Sequence, residues 1–314
     1  MKHKFLFILL FSLVLEGMVT TQAVAGDYVH QVNTLIGTKG TGLTSGYLYP
    51  GATYPYGMVQ FTPSYFSKRS GFVINQLSGG GCEHMGNFPT FPVKGKLKMS
   101  PDNILNYRIN VSEEKGHAGY YEAMVQEDIK AKLTVTERTG MASYEYPADQ
   151  QYGTIIIGGG ISATPIEQAA IVITAPNKCE GYAEGGNFCG LRTPYKVYFV
   201  AEFDTDAFET GTWKREELMP NTTFAEGEYS GVYFTFDVNK KKNIQYKIGV
   251  SYVSVENARE NLKAENAEWD FQKIQNQAEA KWNHYLGMIE VEGTNPDRTT
   301  QFYTHLYRSF IHPN

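Results

Sequence analysis

The sequence has no excess of positive charge and no long apolar run beyond its first residues. Its 28 lysines and arginines are outnumbered by 33 aspartates and glutamates, which gives a formal net charge of −5. Without a basic block, nucleic acid and anionic membrane surfaces are disfavoured as partners. No segment after the N-terminal region is long and apolar enough to predict a membrane span. Hydrophobic residues make up 42% of the chain and charged residues 19%, the balance of a folded globular protein.

Familiar catalytic signatures are also missing. The sequence contains no HExxH, P-loop, EF-hand or GxSxG pattern. A G-x-G-x-x-A match does occur at Gly158–Ala163, after a strand-like run. A dinucleotide site needs a helix immediately afterwards, and Thr164-Pro165 follows instead. We interpret this segment as a strand that ends in a glycine turn.

The first 25 residues have the pattern of a cleaved secretory signal. Met1–Lys4 is basic, Phe5–Leu15 is largely apolar, and Ala23–Ala25 offers small residues for cleavage. The apolar run is about half the ~20 residues that a spanning helix needs. We predict cleavage after Ala25 and a secreted or periplasmic protein; a short N-terminal anchor is the alternative.

Only three cysteines are present, which excludes a disulfide-dense scaffold. Cys179 and Cys189 flank a glycine-rich stretch, 180–188, that we expect to form a hairpin tip. In an oxidising compartment the two could pair, or both could be buried free thiols. Cys82 has no partner in this scheme.

Aromatic residues and turn formers are abundant. The chain holds 22 tyrosines, 18 phenylalanines and 31 glycines, typical of many short strands. Several runs before about residue 255 alternate, and in one of them Val197, Phe199, Ala201 and Phe203 are predicted to face the same way. This pattern predicts a mainly β protein with a β-sandwich.

Beyond residue 255 the pattern becomes helical. Asn257 with Glu260 predicts an N-cap and its capping-box partner. No glycine or proline interrupts Ala258–Leu286, where the apolar stripe consists of Trp269, Ile274, Ala278, Trp282 and Tyr285. After Gly293–Pro296 a second amphipathic segment begins, with an apolar stripe made of Phe302, Leu306 and Phe310. No later element remains to cover that stripe, so we expect the chain to be cut short.

Two glycine-rich loops, 33–60 and 71–89, carry polar side chains and aromatics. Dense glycine lets the backbone approach a ligand closely. Asn, Gln, Glu and His side chains bind sugar hydroxyls, and aromatic rings stack on sugar faces. Cys82-Glu83-His84 could be a fragment of a metal site, but three adjacent residues rarely converge on one ion, which favours a structural loop.

These loops resemble a known family. VNTLIGT, YPGATYPYGMVQFTP and QLSGGGCEHMGNFP, with the later YKVYFVAEFD strand, are similar to the N-terminal domain of glycoside hydrolase family 92. The closing FYTHLYRSFIHPN resembles the first barrel helix of that family. Its members are secreted, mostly bacterial, exo-acting α-mannosidases. The resemblance implies a β-sandwich joined by linker helices to an (α/α)6 barrel, with mannose and Ca²⁺ held between them and inversion at the anomeric carbon.

The resemblance also implies a division of the chain and of the site. It gives a signal peptide over 1–25, a sandwich over 26–255, linker helices over 256–290 and the start of a truncated barrel over 291–314. The implied acid, base and Ca²⁺ ligands belong to the barrel, so no catalytic or metal residue is assigned here. The expected substrate contacts are Gly80, Gly81, Cys82, Glu83 and His84. The partners are α-mannoside glycans and the chain's own barrel domain.

Two departures from the family pattern affect specificity. Only Ser64–Ser70 separates Pro63 from Gly71, where many members have a longer stretch with a tryptophan. Ile74–Gly79 replaces a segment that is often His-Thr-His-Leu-Ser-Gly, so those histidine contacts are not transferred. The leading hypothesis is the substrate-cleft domain of an α-mannosidase, inactive alone. The alternative is a free-standing carbohydrate-binding module.

Overall fold

The structure is a computed structural model that describes residues 26–39, 46–64, 71–102 and 110–312. The predicted signal peptide lies outside these residues, as do 65–70 in the shortened segment. No helix in the described ranges is long and apolar enough to cross a membrane.

In the described part of the chain, seventeen strands form two antiparallel sheets. In spatial order, the eight-stranded sheet contains β1 (Ala52–Thr53), β2 (Gln60–Pro63), β3 (Phe72–Val73), β4 (Thr90–Lys94), β9 (Tyr152–Gly158), β16 (Ser230–Asp237), β13 (Glu209–Lys214) and β14 (Glu217–Pro220). The nine-stranded sheet contains β15 (Phe224–Glu226), β10 (Ile166–Ala175), β11 (Lys178–Phe188), β12 (Leu191–Phe203), β17 (Asn243–Ser251), β8 (Thr139–Glu145), β7 (Ile129–Val135), β6 (Tyr120–Val125) and β5 (Val111–His117). Among the described residues, α-helices follow only after the last strand, so the predicted mainly β class is confirmed.

The main hydrophobic core lies between the sheets. Phe203 of β12 meets Phe234 and Phe236 of β16 across the core, with ring centroids 4.7 and 5.1 Å apart. The predicted alternation of β12 is confirmed, because Val197, Phe199, Ala201 and Phe203 are all fully buried on one face. β9 passes into turns and then β10, so the glycine run at 158–160 opens no helix, as expected.

Helix α1 (Val255–Glu265) packs on the outer face of the nine-stranded sheet. Its N-cap is Ser254, whose Oγ accepts from the backbone N–H of Asn257 at 3.1 Å. The predicted cap at Asn257 was therefore wrong by three residues. A Cβ on Gly249 would lie 2.4 Å from the carbonyl of Ala258, so glycine there lets the helix approach β17 closely.

The chain breaks between α1 and α2 (Phe271–Leu286), so the run without glycine or proline from Ala258 to Leu286 spans parts of two helices. Asp270 caps α2 by accepting from the N–H of Lys273 at 3.0 Å. Buried Lys247 donates to the carbonyls of residues 266 and 267 in the break, at 3.0 and 3.1 Å. These two backbone carbonyls just after the end of α1 thus accept hydrogen bonds from a charged donor. The bonds stabilise the break, although the sequence has no glycine or proline there.

Helix α3 (Pro296–Ser309) is covered within this chain, contrary to the expectation of a bare face. Tyr303, Tyr307 and the following Ile311 are buried against Val29, Tyr49 and Trp282. The predicted stripe of Phe302, Leu306 and Phe310 lies at the edge of this cluster and is half-buried. The buried face of the helix is formed by its own tyrosines, because their rings pack in the cluster while their hydroxyls reach polar partners.

The observed disulfide joins Cys82 to Cys189, so the pairing considered for Cys179 and Cys189 was wrong. Residues 180–188 form no hairpin tip but belong to the extended strand β11. At ~3.3 Å per residue, the two ends of this stretch lie about 30 Å apart. The hairpin turn follows at Cys189-Gly190, where both residues have positive φ. Cys179 is a fully buried free thiol, and burial raises its pKa.

Candidate functional site

The predicted substrate loop runs from Ile74 to Pro89, between β3 and β4. Its base is closed by two asparagines. Asn75 Oδ1 accepts from the backbone N–H of Asn87 at 2.8 Å, and Asn75 Nδ2 donates to Asn87 Oδ1 at 3.1 Å. The loop is therefore fixed at its root by paired amides.

Two tyrosines from the nine-stranded sheet and its exit support this root. The Tyr195 hydroxyl donates to Asn87 Oδ1 at 2.6 Å, and the Tyr252 hydroxyl accepts from Asn75 Nδ2 at 3.3 Å. Asn87 is fully buried, and its Nδ2 has no hydrogen-bond partner among the described residues. Such a network holds the loop in one orientation relative to the sheet.

The tip of the loop is tied down by the Cys82–Cys189 disulfide. This bond connects the loop to the turn between β11 and β12, across 107 residues of sequence. Backbone conformation adds to the constraint, because Met85 and Phe88 have positive φ, which is uncommon for such residues. A disulfide and strained backbone together give the loop a defined shape.

His84 lies beneath the loop rather than on its surface. It is 2% exposed, and its Nδ1 donates to the carbonyl of Cys82 at 2.6 Å, while its Nε2 accepts from the N–H of Leu77 at 2.7 Å. These partners fix the Nδ1–H tautomer. Burial lowers the pKa of His84, against the opposing effect of its two backbone hydrogen bonds. A Cβ on Gly80 would lie 2.9 Å from the imidazole, so glycine at 80 makes room for it.

The loop contacts the last helical segment directly. The backbone N–H of Ser78 donates to His312 Nε2 at 2.8 Å, just beyond α3. The neighbouring Gly79 N–H donates to the carbonyl of Tyr47 at 2.8 Å. Burial lowers the pKa of His312 to about 4, and the nearby His84 adds to this shift. His312 is therefore a neutral acceptor at ordinary pH.

The five predicted contact residues lie together but differ in exposure. Gly81 and Glu83 are exposed at the tip, Gly80 and Cys82 are half-buried, and His84 is buried. In this arrangement Gly81 and Glu83 can meet a ligand, whereas His84 holds the loop from below. Sequence reasoning missed His312 and Cys189 as parts of this site, since neither lies near the loop in the chain.

Two family models match the chain. The model of the glycosyl hydrolase family 92 N-terminal domain matches residues 31–251, more than half of the chain, and that of the family 92 catalytic domain matches 257–314. The chain belongs to glycoside hydrolase family 92. The contact between Ser78 and His312 therefore joins the family 92 N-terminal domain to a segment that matches its catalytic domain.

Known proteins of similar sequence and structure agree with this family. A curated relative from Arthroderma benhamiae, named an uncharacterized secreted glycosidase, is 25% identical over 346 residues that cover 96% of this chain and 44% of the relative. A solved family 92 α-mannosidase from Bacteroides thetaiotaomicron has a TM-score of 0.80 at 25% identity, covering 92% of this chain and 42% of its own. An inverting mannosidase of the family from the same species has a TM-score of 0.80 at 26% identity, covering 92% and 40%. The chain thus spans about two fifths of the length of these relatives.

Proposed function

We propose that this chain forms one wall of the substrate cleft of a secreted, inverting exo-α-mannosidase. The names of the solved relatives support the reaction, since one is an α-mannosidase and another an inverting mannosidase. The first of these was also solved in complex with mannoimidazole. The substrates that we propose are α-linked mannosides at the ends of glycans.

One observation carries this proposal. The glycine-rich loop at 74–89 has an exposed tip and contacts His312, which belongs to the segment that matches the catalytic domain. A loop at the junction of two domains is well placed to line a cleft between them, and ligand sites occur preferentially at such junctions.

The roles that we assign follow the geometry of the loop. The Glu83 carboxylate is exposed and accepts hydrogen bonds from sugar hydroxyls. Gly81 lies in open space, since a Cβ there would meet only Tyr47 at 4.0 Å. A sugar can therefore approach the backbone at this position. His84 is a positioning residue, because its ring bonds to the carbonyl of Cys82, next to Glu83, and to the N–H of Leu77.

We propose that the acid and base are supplied by the catalytic domain and that this chain is inactive alone. An inverting glycosidase needs one carboxylic acid and one carboxylate about 6.5–9.5 Å apart, on opposite sides of the scissile bond. The calcium ion is assigned to the same domain. Within the described residues, His30, His117 and Glu279 are the side chains whose metal-binding atoms converge. Two imidazoles and one carboxylate do not fit Ca²⁺, which takes six to eight oxygen ligands.

Export by the N-terminal segment completes the proposal. Residues 1–25 have the signal pattern, and the curated relative is named a secreted glycosidase. The Cys82–Cys189 bond agrees with an oxidising compartment, because disulfides persist there and are rare in reducing cytosol.

The test compares this chain with the gene product as its source organism makes it, using α-mannosides and Ca²⁺. We expect the whole product to release mannose with inversion and the 314-residue chain to release none. In the whole product, Glu83→Gln should lower kcat/KM at least about tenfold, as expected for a lost charged hydrogen bond of 1.5–3 kcal/mol. The control Glu226→Gln, on exposed edge strand β15, should leave it unchanged.

Three outcomes would contradict the proposal. Hydrolysis by the isolated chain would place the acid and base within it. Equal kcat/KM for Glu83→Gln and Glu226→Gln would show that Glu83 does not contact the substrate. Tight mannoside binding by a chain whose natural product has no hydrolase activity would instead support the carbohydrate-binding module.

A further inference from the structure

A cluster of metal-binding side chains lies apart from the glycine-rich loop. His30 comes from a 3₁₀ turn (Val29–Gln31), His117 from the end of β5 and Glu279 from α2. One ligand atom from each lies within 4.8 Å of the others, and His117 Nε2 is 2.8 Å from Glu279 Oε1. Three separate elements thus direct two imidazoles and one carboxylate to one point.

The backbone around the cluster is fixed before any ion binds. Asn283 Oδ1 accepts from the N–H groups of Tyr28 and Val29, at 2.9 and 3.0 Å, and so holds the turn that carries His30 against α2. Asn283 lies four residues after Glu279, on the same face of the helix. The turn after β5 also touches α2 closely, since a Cβ on Gly119 would lie 3.0 Å from the side chain of Ala278.

Neighbouring polar groups orient two of the three side chains. His30 Nδ1 donates to Asp27 Oδ1 at 2.6 Å, which leaves Nε2 of the neutral ring as the ligand atom. Gln275 Nε2 donates to Glu279 Oε1 at 2.7 Å. Carboxylates that hydrogen-bond the second ring nitrogen are the usual outer partners of metal-binding histidines.

We propose that His30, His117 and Glu279 bind a Zn²⁺ ion, with water as the fourth ligand. Zinc favours imidazole and carboxylate ligands in a tetrahedron, with bonds near 2.0–2.2 Å. Ligand atoms in such a tetrahedron lie about 3.4 Å apart. His117 Nε2 and Glu279 Oε1 need to separate by roughly half an ångström to reach that spacing. His30 is exposed and has room to move inward.

The ion would connect three parts of the protein. It would join the N-terminal segment, the β-sandwich and helix α2, which lies within the segment that matches the catalytic domain. Because zinc would bind the folded chain and not the unfolded one, it would raise the temperature of unfolding.

The test is a zinc titration of the chelator-treated 314-residue chain against a colorimetric zinc indicator. We expect one ion per chain, with affinity reduced at least about 100-fold in His30→Ala and Glu279→Gln, and about tenfold in Asp27→Asn. Cobalt in place of zinc should give the visible absorption of a four-coordinate ion. The control is His284→Ala, which removes an exposed histidine from the same helix and should bind zinc as the wild type does.

Folding is checked by thermal unfolding without metal. The unfolding temperature of His30→Ala should equal that of the wild type, because the His30 side chain is exposed. Zinc at 100 times its Kd should raise the unfolding temperature of the wild type by roughly 5 °C and leave His30→Ala unchanged. Substoichiometric zinc, equal affinities in wild type and His30→Ala, or an equal loss in His284→Ala would each overturn the proposal.

Discussion

Removal of the Cys82–Cys189 disulfide should destabilise the protein and loosen the candidate substrate loop. The bond closes 107 residues of sequence, and the chain-entropy relation gives it about 4.7 kcal/mol for a loop of that size. Residual structure in the unfolded chain reduces this, so we expect Cys82→Ser/Cys189→Ser to cost about 2–4 kcal/mol. For a chain of this length, that is a fall in unfolding temperature of roughly 3–7 °C.

The assay is thermal unfolding of the oxidised wild type and the double variant, each with and without reductant. Reductant should lower the unfolding temperature of the wild type to that of the double variant and leave the double variant unaffected. The matched control is Cys179→Ala, which removes the buried free thiol and should keep the response to reductant. Peptide mapping that finds Cys179 linked to Cys189, or a wild type indifferent to reductant, would refute the reasoning.

Three further results are expected. Trp282→Ala should cost about 3–5 kcal/mol in urea unfolding, because the fully buried indole packs on the α3 face and its Nε1 donates to a backbone carbonyl at 2.7 Å. Stability should fall as the pH drops from about 6.5 to about 4, because the unfolded chain protonates His312 while the folded one does not; His312→Gln should reduce this loss by about 1–2 kcal/mol. Gly80→Ala should displace the His84 ring and raise KM for mannosides in the whole gene product. The control Gly81→Ala places its methyl group in open space and should leave the hydrogen-exchange protection of the loop unchanged.

The sandwich was predictable because its signal is local. Alternating residues such as Val197 and Phe199 assign one face of β12 to the core without knowledge of any other strand. The position of the glycine-rich loop was predictable for a different reason, since the resemblance to family 92 placed it at a domain junction. Its contact with His312 agrees with that placement.

Features that depend on distant pairings were not predictable. Cys82 meets Cys189 because two loops converge, and no spacing rule relates positions 107 residues apart. His117 and Glu279 are separated by 162 residues for the same reason. The position of the break before α2 was not located from the sequence, because Asp270, a capping residue, marks it in place of glycine or proline.

The contacts of Arg308 join parts of the chain that are synthesised far apart in time. Its guanidinium donates to the carbonyls of Thr34 at 2.7 Å and Tyr49 at 3.0 Å, the first of these across 274 residues. At 5–20 residues per second, synthesis of that interval takes roughly 15–50 seconds. The carbonyls of Thr34 and Tyr49 therefore leave the ribosome well before the guanidinium that donates to them. Until Arg308 is synthesised, neither carbonyl can form this native hydrogen bond.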